Sequence, residues 1–311
     1  PVEKKGENEK MLTIDQPDFK ARFSGHETFP VRYGWLYKVA EATAEKTESD
    51  NMFDPNEAMM RFGVGKNMVI SMKYWAMAFD VIDANNDLAV FGEKLLGING
   101  HDPFLEKPGT LWSLHWKLAS SPERTTTWYW VFNHLNLRTF DKEQVTNDLQ
   151  RLVEEKSWGK VAASTLKRDV ECFLRTYTIN KNKFGSITEE SLESPLSELD
   201  LIHQTETRGV YEFNRGPKEN LSDEVFTYAL LEYWEKKDST AVTMTLERLA
   251  YDPGSPGRVF KLDENSVADR LSKIEEITHG AFVWADTAGI RQVQQMNEID
   301  KFDVLKRAYH G

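Results

Sequence analysis

The sequence predicts a mainly α-helical protein with small β-hairpins, an α+β chain built of tandem winged-helix or helix-turn-helix-like modules. Three observations predict this. Residues 54–81 read as a short helix, a glycine-bearing turn and a longer amphipathic helix with a polar, basic front. The same order returns over 141–177. A third helical run, over 225–274, is followed by the hairpin signal AFVWADTAGIRQV. These units share pattern but negligible sequence identity, so the repeat is one of order only.

Four parts are expected: a flexible arm over 1–21, an N-terminal module over 22–105, an aromatic-rich module over 106–180 and a C-terminal module over 181–311. The arm is polar and contains EKKGENEK. In the first module, Thr28 is expected to cap a helix over 29–45 that carries Val31, Trp35 and Val39 on one face. Asp54, Pro55 and Glu57 open the next helix in cap, first-turn and capping-box positions. Gly63 and Gly65 mark a sharp turn, and Asn67 is expected to cap a helix over 68–80. Met68, Met72, Trp75 and Phe79 form its apolar back. DANNDLAVF then suggests a wing.

The second module opens on the aromatics Trp112, Trp116, Trp128, Tyr129, Trp130 and Phe132, read as packing, with His115 and His134 as buried, bonded histidines. Asp141 and Gln144 form a capping box for a helix with Val145, Leu149, Leu152 and Val153 on one face. Ser164 is expected to cap the next, which carries Leu166, Val170, Phe173 and Tyr177 inside. Lys167, Arg168 and Arg175 fall outside. In the third module, Met244–Ala250 and the stretch through Val267, Leu271 and Ile274 are expected helices, with Arg258 and Lys261 at the front of the last.

The formal net charge is −11, from 39 Lys+Arg against 50 Asp+Glu. That excludes indiscriminate coating of nucleic acid but leaves room for a local basic patch, because salt screens charge beyond about 8–10 Å. One cysteine, Cys172, excludes an internal disulfide framework and a cysteine zinc cluster; it is expected to be a buried thiol. No run approaches the roughly 18–20 apolar residues of a membrane span and no signal-peptide pattern is present, so a cytoplasmic location and no membrane partner are expected.

Enzyme motifs are absent: no P-loop, dinucleotide fingerprint, HExxH or GxSxG. PGSPG at 253–257 lacks the lysine of a phosphate loop. One polar knot, Ser24 to Thr28, contains His26 and Glu27. It is either a helix entrance that satisfies backbone donors or a contact loop, with His26 as general base and Glu27 as metal ligand or orienter.

Several phrases occur together and in order: FSGHETFPVRYGWLYK (23–38), FGVGKNMVISMKYWAMAFDVI (62–82), TLWSLHWKL (110–118), STLKRDVECFLRTY (164–177), SPLSEL (194–199) and PGSPGRVFKL (253–262). With them the chain resembles the SspB-like family of bacterial DNA phosphorothioation proteins, over nearly all its length beyond the arm. The resemblance implies a cytoplasmic double-stranded-DNA-binding component of an anti-phage defence system that exchanges a backbone oxygen for sulfur. It further implies strand nicking, and a cysteine desulfurase, an ATPase and an ATP-pyrophosphatase as partners; for the nick itself, hydrolysis assisted by a divalent metal such as Mg²⁺ and using His26 and Glu27 is expected. The DNA contacts expected are Lys66, Asn67, Ser71 and Lys73 in the first module, Ser164, Thr165, Lys167 and Arg168 in the second, and Arg258 and Lys261 in the third. Two rivals are a non-catalytic scaffold docking those partners on DNA and a transcriptional regulator of the cluster.

Overall fold

The structure, a computed structural model, describes residues 13–46, 52–179, 193–238, 240–287 and 289–310. Helices dominate, joined by two small antiparallel sheets, as the α+β expectation has it. Helices α1 (Trp35–Glu45), α2 (Pro55–Phe62), α3 (Lys66–Ala78) and α4 (Val90–Leu96) come first, with an Ile82–Leu88 bridge before α4. Next come α5 (Pro108–Ala119), α6 (Thr126–Asn133), β1 (Thr139–Asp141), α7 (Lys142–Glu155), α8 (Ala163–Tyr177), β2 (Ile202–Gln204) and β3 (Val210–Phe213). The last set is α9 (Asp223–Asp238), β4 (Thr243–Thr245), α10 (Leu246–Tyr251), α11 (Pro256–Val259), α12 (Glu264–Leu271), α13 (Ile274–Ile277), β5 (Phe282–Thr287), β6 (Ile290–Gln295) and α14 (Lys301–Arg307).

The second and third sets share one plan. A strand precedes a helical stretch (α7 and α8 in the second set, α10 to α13 in the third), a hairpin follows it, and the early strand pairs with the second strand of the hairpin. The sheet orders are β1-β3-β2 and β4-β6-β5. Phe140 faces Tyr211 across the first sheet, and Met244 faces Val293 across the second.

Local signals explain most helix starts. Asp141 accepts from the Gln144 amide at 2.8 Å and Asp263 from Ser266 at 2.7 Å, each satisfying an orphan donor. Three expected caps are corrected. Thr28 is left-handed (φ 66°), the chain stays irregular to a left-handed Gly34, and α1 begins at Trp35, while the Phe29 carbonyl accepts from the Trp75 indole at 2.9 Å. Gly65, not Asn67, is the N-cap of α3, and Ala162, not Ser164, is that of α8. Residues expected as one late helix divide into α12 and α13 around Ser272 and Lys273, while the expected helix from Met244 begins with strand β4.

Buried apolar side chains from Ile14 to Tyr309 form one cluster spanning all three sets. Ile14 and Phe19 belong to it, and Phe19 packs edge-on against Trp158 at 5.2 Å. The expectation of a free arm is thereby corrected for 13–21; residues 1–12 lie outside the described residues. The aromatic segment is interior, with Trp112, Trp116, Trp128 and Phe132 at most 1% exposed. Cys172 is buried beside them.

His115 lies in this interior between the Tyr177 hydroxyl at Nδ1 (2.8 Å) and the Val259 carbonyl at Nε2 (2.8 Å). A carbonyl only accepts, so Nε2 carries the proton and Nδ1 accepts from Tyr177. Burial lowers the pKa to about 3. The unfolded chain takes up a proton near pH 6.5 that the folded chain refuses, so stability is full above that pH and falls as pH drops. One group contributes a slope of about 1.4 kcal/mol per pH unit between those two values. Urea unfolding at pH 7, 6 and 5 is expected to lose one proton's worth of slope in His115→Gln; an unchanged slope contradicts the assignment.

Candidate nucleic-acid interface

The α7–turn–α8 pair is held by its apolar backs, so its outward side is polar. α8 buries Leu166, Asp169, Val170, Phe173 and Tyr177, which leaves Ser164, Lys167 and Arg168 exposed on its opposite face. Lys167 has no ionic partner among the described residues, and Arg168 bonds only the Ser164 carbonyl of its own helix, at 3.2 Å. No side chain caps α8, so its leading amides face outward with these groups. A groove of about 430 Å³ runs between the two helix fronts, lined by Lys142, Glu143, Thr146, Asn147, Ser164 and Lys167. A second, of about 480 Å³, continues past Lys142 and Glu143 along α8 to Gly209 and Tyr211 of the β2–β3 hairpin. Lys142 is held at its edge by Glu171 at 2.6 Å.

In the third set the cations around α12 are paired with carboxylates. Arg291 is neutralised by Glu264 at 2.9 Å and Asp286 at 3.4 Å. Arg270 and Lys273 both turn to Asp223 at 2.7 Å. Asn265 and Asp269 remain exposed on α12. Lys261 is corrected outright. It is 2% exposed, its ammonium bonds the Phe132 carbonyl and lies 4.0 Å from the Phe213 ring centre, and burial lowers its pKa well below the ordinary value. Arg258 precedes α12 and spends its guanidinium on the Tyr251 carbonyl and Asn136, each at 2.9 Å.

In the first set Lys66 and Asn67 are exposed at the start of α3, and Lys73 sits 5.0 Å over the Phe53 ring. Ser71 is corrected: it is fully buried, with its hydroxyl 3.5 Å from the Phe29 carbonyl, and cannot reach a ligand.

The Ser24–Thr28 knot is a strained loop anchored from within. Ser24, Glu27 and Thr28 all have positive φ, and at Gly25 a β-carbon would meet the Tyr74 ring at 2.8 Å. Asp169 of α8, 1% exposed, accepts from the Ser24 amide (2.7 Å), His26 Nε2 (2.7 Å) and the Thr127 hydroxyl (2.5 Å). His26 Nδ1 accepts from the Thr28 amide at 3.1 Å, so the ring is a neutral imidazole that donates from Nε2. It is 1% exposed among Tyr74, Trp75 and Trp128. With both nitrogens engaged and the ring sealed, His26 has no lone pair for a substrate; its expected role as general base is corrected to that of a loop anchor. Glu27 is exposed. Among the described residues no group of three or more His, Cys, Asp or Glu could hold a metal ion.

Lys142, Thr146 and Asn147 were not expected at this surface, nor was Arg208 on the hairpin. The DKEQ capping box contains the clue, because it fixes which residues of α7 stand at its leading edge. The pairing of β2 with β3, which brings Arg208 near, has no local signature.

Residues 23–309 match a family described as "Protein of unknown function (DUF4007)". The fold is similar to a crystal structure of SspB, with TM-score 0.79 and 29% identity over 97% of this chain and 88% of that one. It is also similar to a magnesium-ion-bound crystal structure of SspB, with TM-score 0.76 and 27% identity over 92% and 86%. No curated protein matches the chain. No helix among the described residues is long and apolar enough to cross a membrane.

Proposed function

We propose that this chain, which belongs to the DUF4007 family, is a DNA-contacting component of a bacterial DNA phosphorothioation and anti-phage defence system. Its second and third sets are winged helices, and the second is the one that meets double-stranded DNA. The observation that supports this is the front of α8, where Ser164, Lys167 and Arg168 are exposed and neither cation has an ionic partner among the described residues. In a winged helix the second helix of the pair enters the major groove and its leading residues reach phosphates and base edges. Lys142 and Asn147 on α7 stand where backbone phosphates would flank it. Lys66, Asn67 and Lys73 offer the duplex a second, weaker contact. The net charge of −11 suits binding that is local and assisted by partners, for which the resemblance nominates the desulfurase, the ATPase and the ATP-pyrophosphatase.

Lys167→Ala with Arg168→Ala is expected to weaken duplex binding about tenfold or more. It should also reduce the slope of log affinity against log salt by about 2. Polarisation titrations at several salt concentrations measure both, and a wild-type slope rejects this face.

Nicking remains part of the proposal through the family resemblance. A second reading, a DNA-docking subunit that does not itself cut, is favoured by the sealing of His26. Relaxation of supercoiled plasmid by highly purified protein, with and without Mg²⁺, decides between them.

A further inference from the structure

The hairpin beside α8 is built to hold one cation at its tip. Its turn, residues 205–209, is locked from several directions: the Thr205 amide donates to the Val210 carbonyl (2.9 Å) and Val210 returns a bond to Thr207 (3.1 Å). The Thr205 hydroxyl accepts from the Thr207 amide at 3.2 Å and lies 3.2 Å from the Val210 carbonyl. Gly209 takes the left-handed conformation that closes the turn, with φ of 82°. Arg208 is exposed there with no partner among the described residues, while His203 farther down is already paired with Glu212 at 2.9 Å. Its neighbour Gly209 lines the groove that runs along α8 to Lys142, and Lys142 also lines the groove reaching Ser164 and Lys167. Hairpin tip and helix front therefore border one continuous face.

The geometry points to Arg208 as a specificity-determining residue that enters the minor groove beside the major groove occupied by α8; this rests on the reading of α8 given above. The ordered turn means that only the side chain of Arg208, and not its backbone, has to be fixed on binding, and a guanidinium suits the narrow, strongly negative minor groove of A·T-rich DNA. Glu206 shares the turn and is exposed, so its carboxylate opposes the same phosphates.

The test uses the full chain and duplexes whose flanks are A·T-rich, G·C-rich or inosine·C-substituted. Inosine lacks the minor-groove amino group of guanine but leaves the major groove unaltered, so it isolates minor-groove reading. The wild type is expected to favour A·T and I·C flanks. Arg208→Ala should bind about fivefold to tenfold more weakly, lose one from the salt slope and lose the flank preference, while Glu206→Gln binds about twofold tighter. Circular-dichroism melting confirms that the variants fold. If Arg208→Ala keeps the wild-type flank preference while the Lys167/Arg168 double variant weakens binding, the hairpin inference alone falls. If the double variant also binds as wild type, the reading of α8 falls with it.

Discussion

Asp169→Ala is expected to destabilise the protein by about 3–5 kcal/mol in urea unfolding. The carboxylate is 1% exposed and accepts from the Ser24 amide, His26 Nε2 and the Thr127 hydroxyl. Alanine leaves three donors buried without acceptors, each costing about 1–3 kcal/mol, less whatever the loop recovers by opening to water. Asp169→Asn keeps one oxygen and is expected to cost about half as much. The damage should spread beyond stability. Ser24, Glu27 and Thr28 hold left-handed conformations only while the anchor over-determines them, and the Thr28 carbonyl accepts from Arg175 of α8 at 2.9 Å. An Asp169→Ala variant within 1 kcal/mol of wild type would show that the loop needs no anchor.

Glu232→Leu is expected to cost about 3–5 kcal/mol for a different reason. Glu232, 3% exposed on α9, bonds Lys117 at 2.7 Å and the Trp116 indole and Tyr228 hydroxyl at 2.9 Å each. Lys117 reaches on to Asp80 just beyond α3, at 3.1 Å, so one network ties all three sets together. Removing the carboxylate leaves the buried ammonium with only the half-exposed Asp80 as a charge partner and leaves the Trp116 and Tyr228 donors unpaired, the costly half of breaking a buried network. Glu232→Leu with Lys117→Met should recover most of the loss, which a double-mutant cycle reads directly. Burial alone would raise the Glu232 pKa, yet Lys117, Lys236 and Lys301 hold it well below the ordinary carboxylate range. Its contribution is thus present above about pH 4.3 and fades as pH falls below that value. Acid unfolding that is equally steep in wild type and the double variant would contradict the assignment.

What the sequence made legible was local. The Asp141 cap, the inner stripe of α8 and the turn between β5 and β6 each carry their signal within a few residues, and each lies where the spacing puts it. What it hid was decided at long range. Thr28 resembles a cap, but His26, Asp169 and Trp75 claim the backbone around it. Lys261 looks like a surface cation and is instead enclosed by Phe132 and Phe213, from segments 129 and 48 positions away. At the candidate site, the cationic front of α8 was readable from periodicity alone. The neutralisation of the cations in the third set was not, because it depends on which arginines find Asp223, Glu264 and Asp286.

The unbroken interior from Ile14 to Tyr309 carries a mechanical implication. Among the described residues a single buried apolar cluster joins the three sets, so a force applied at α8 reaches α14 through packed side chains rather than through a solvated linker.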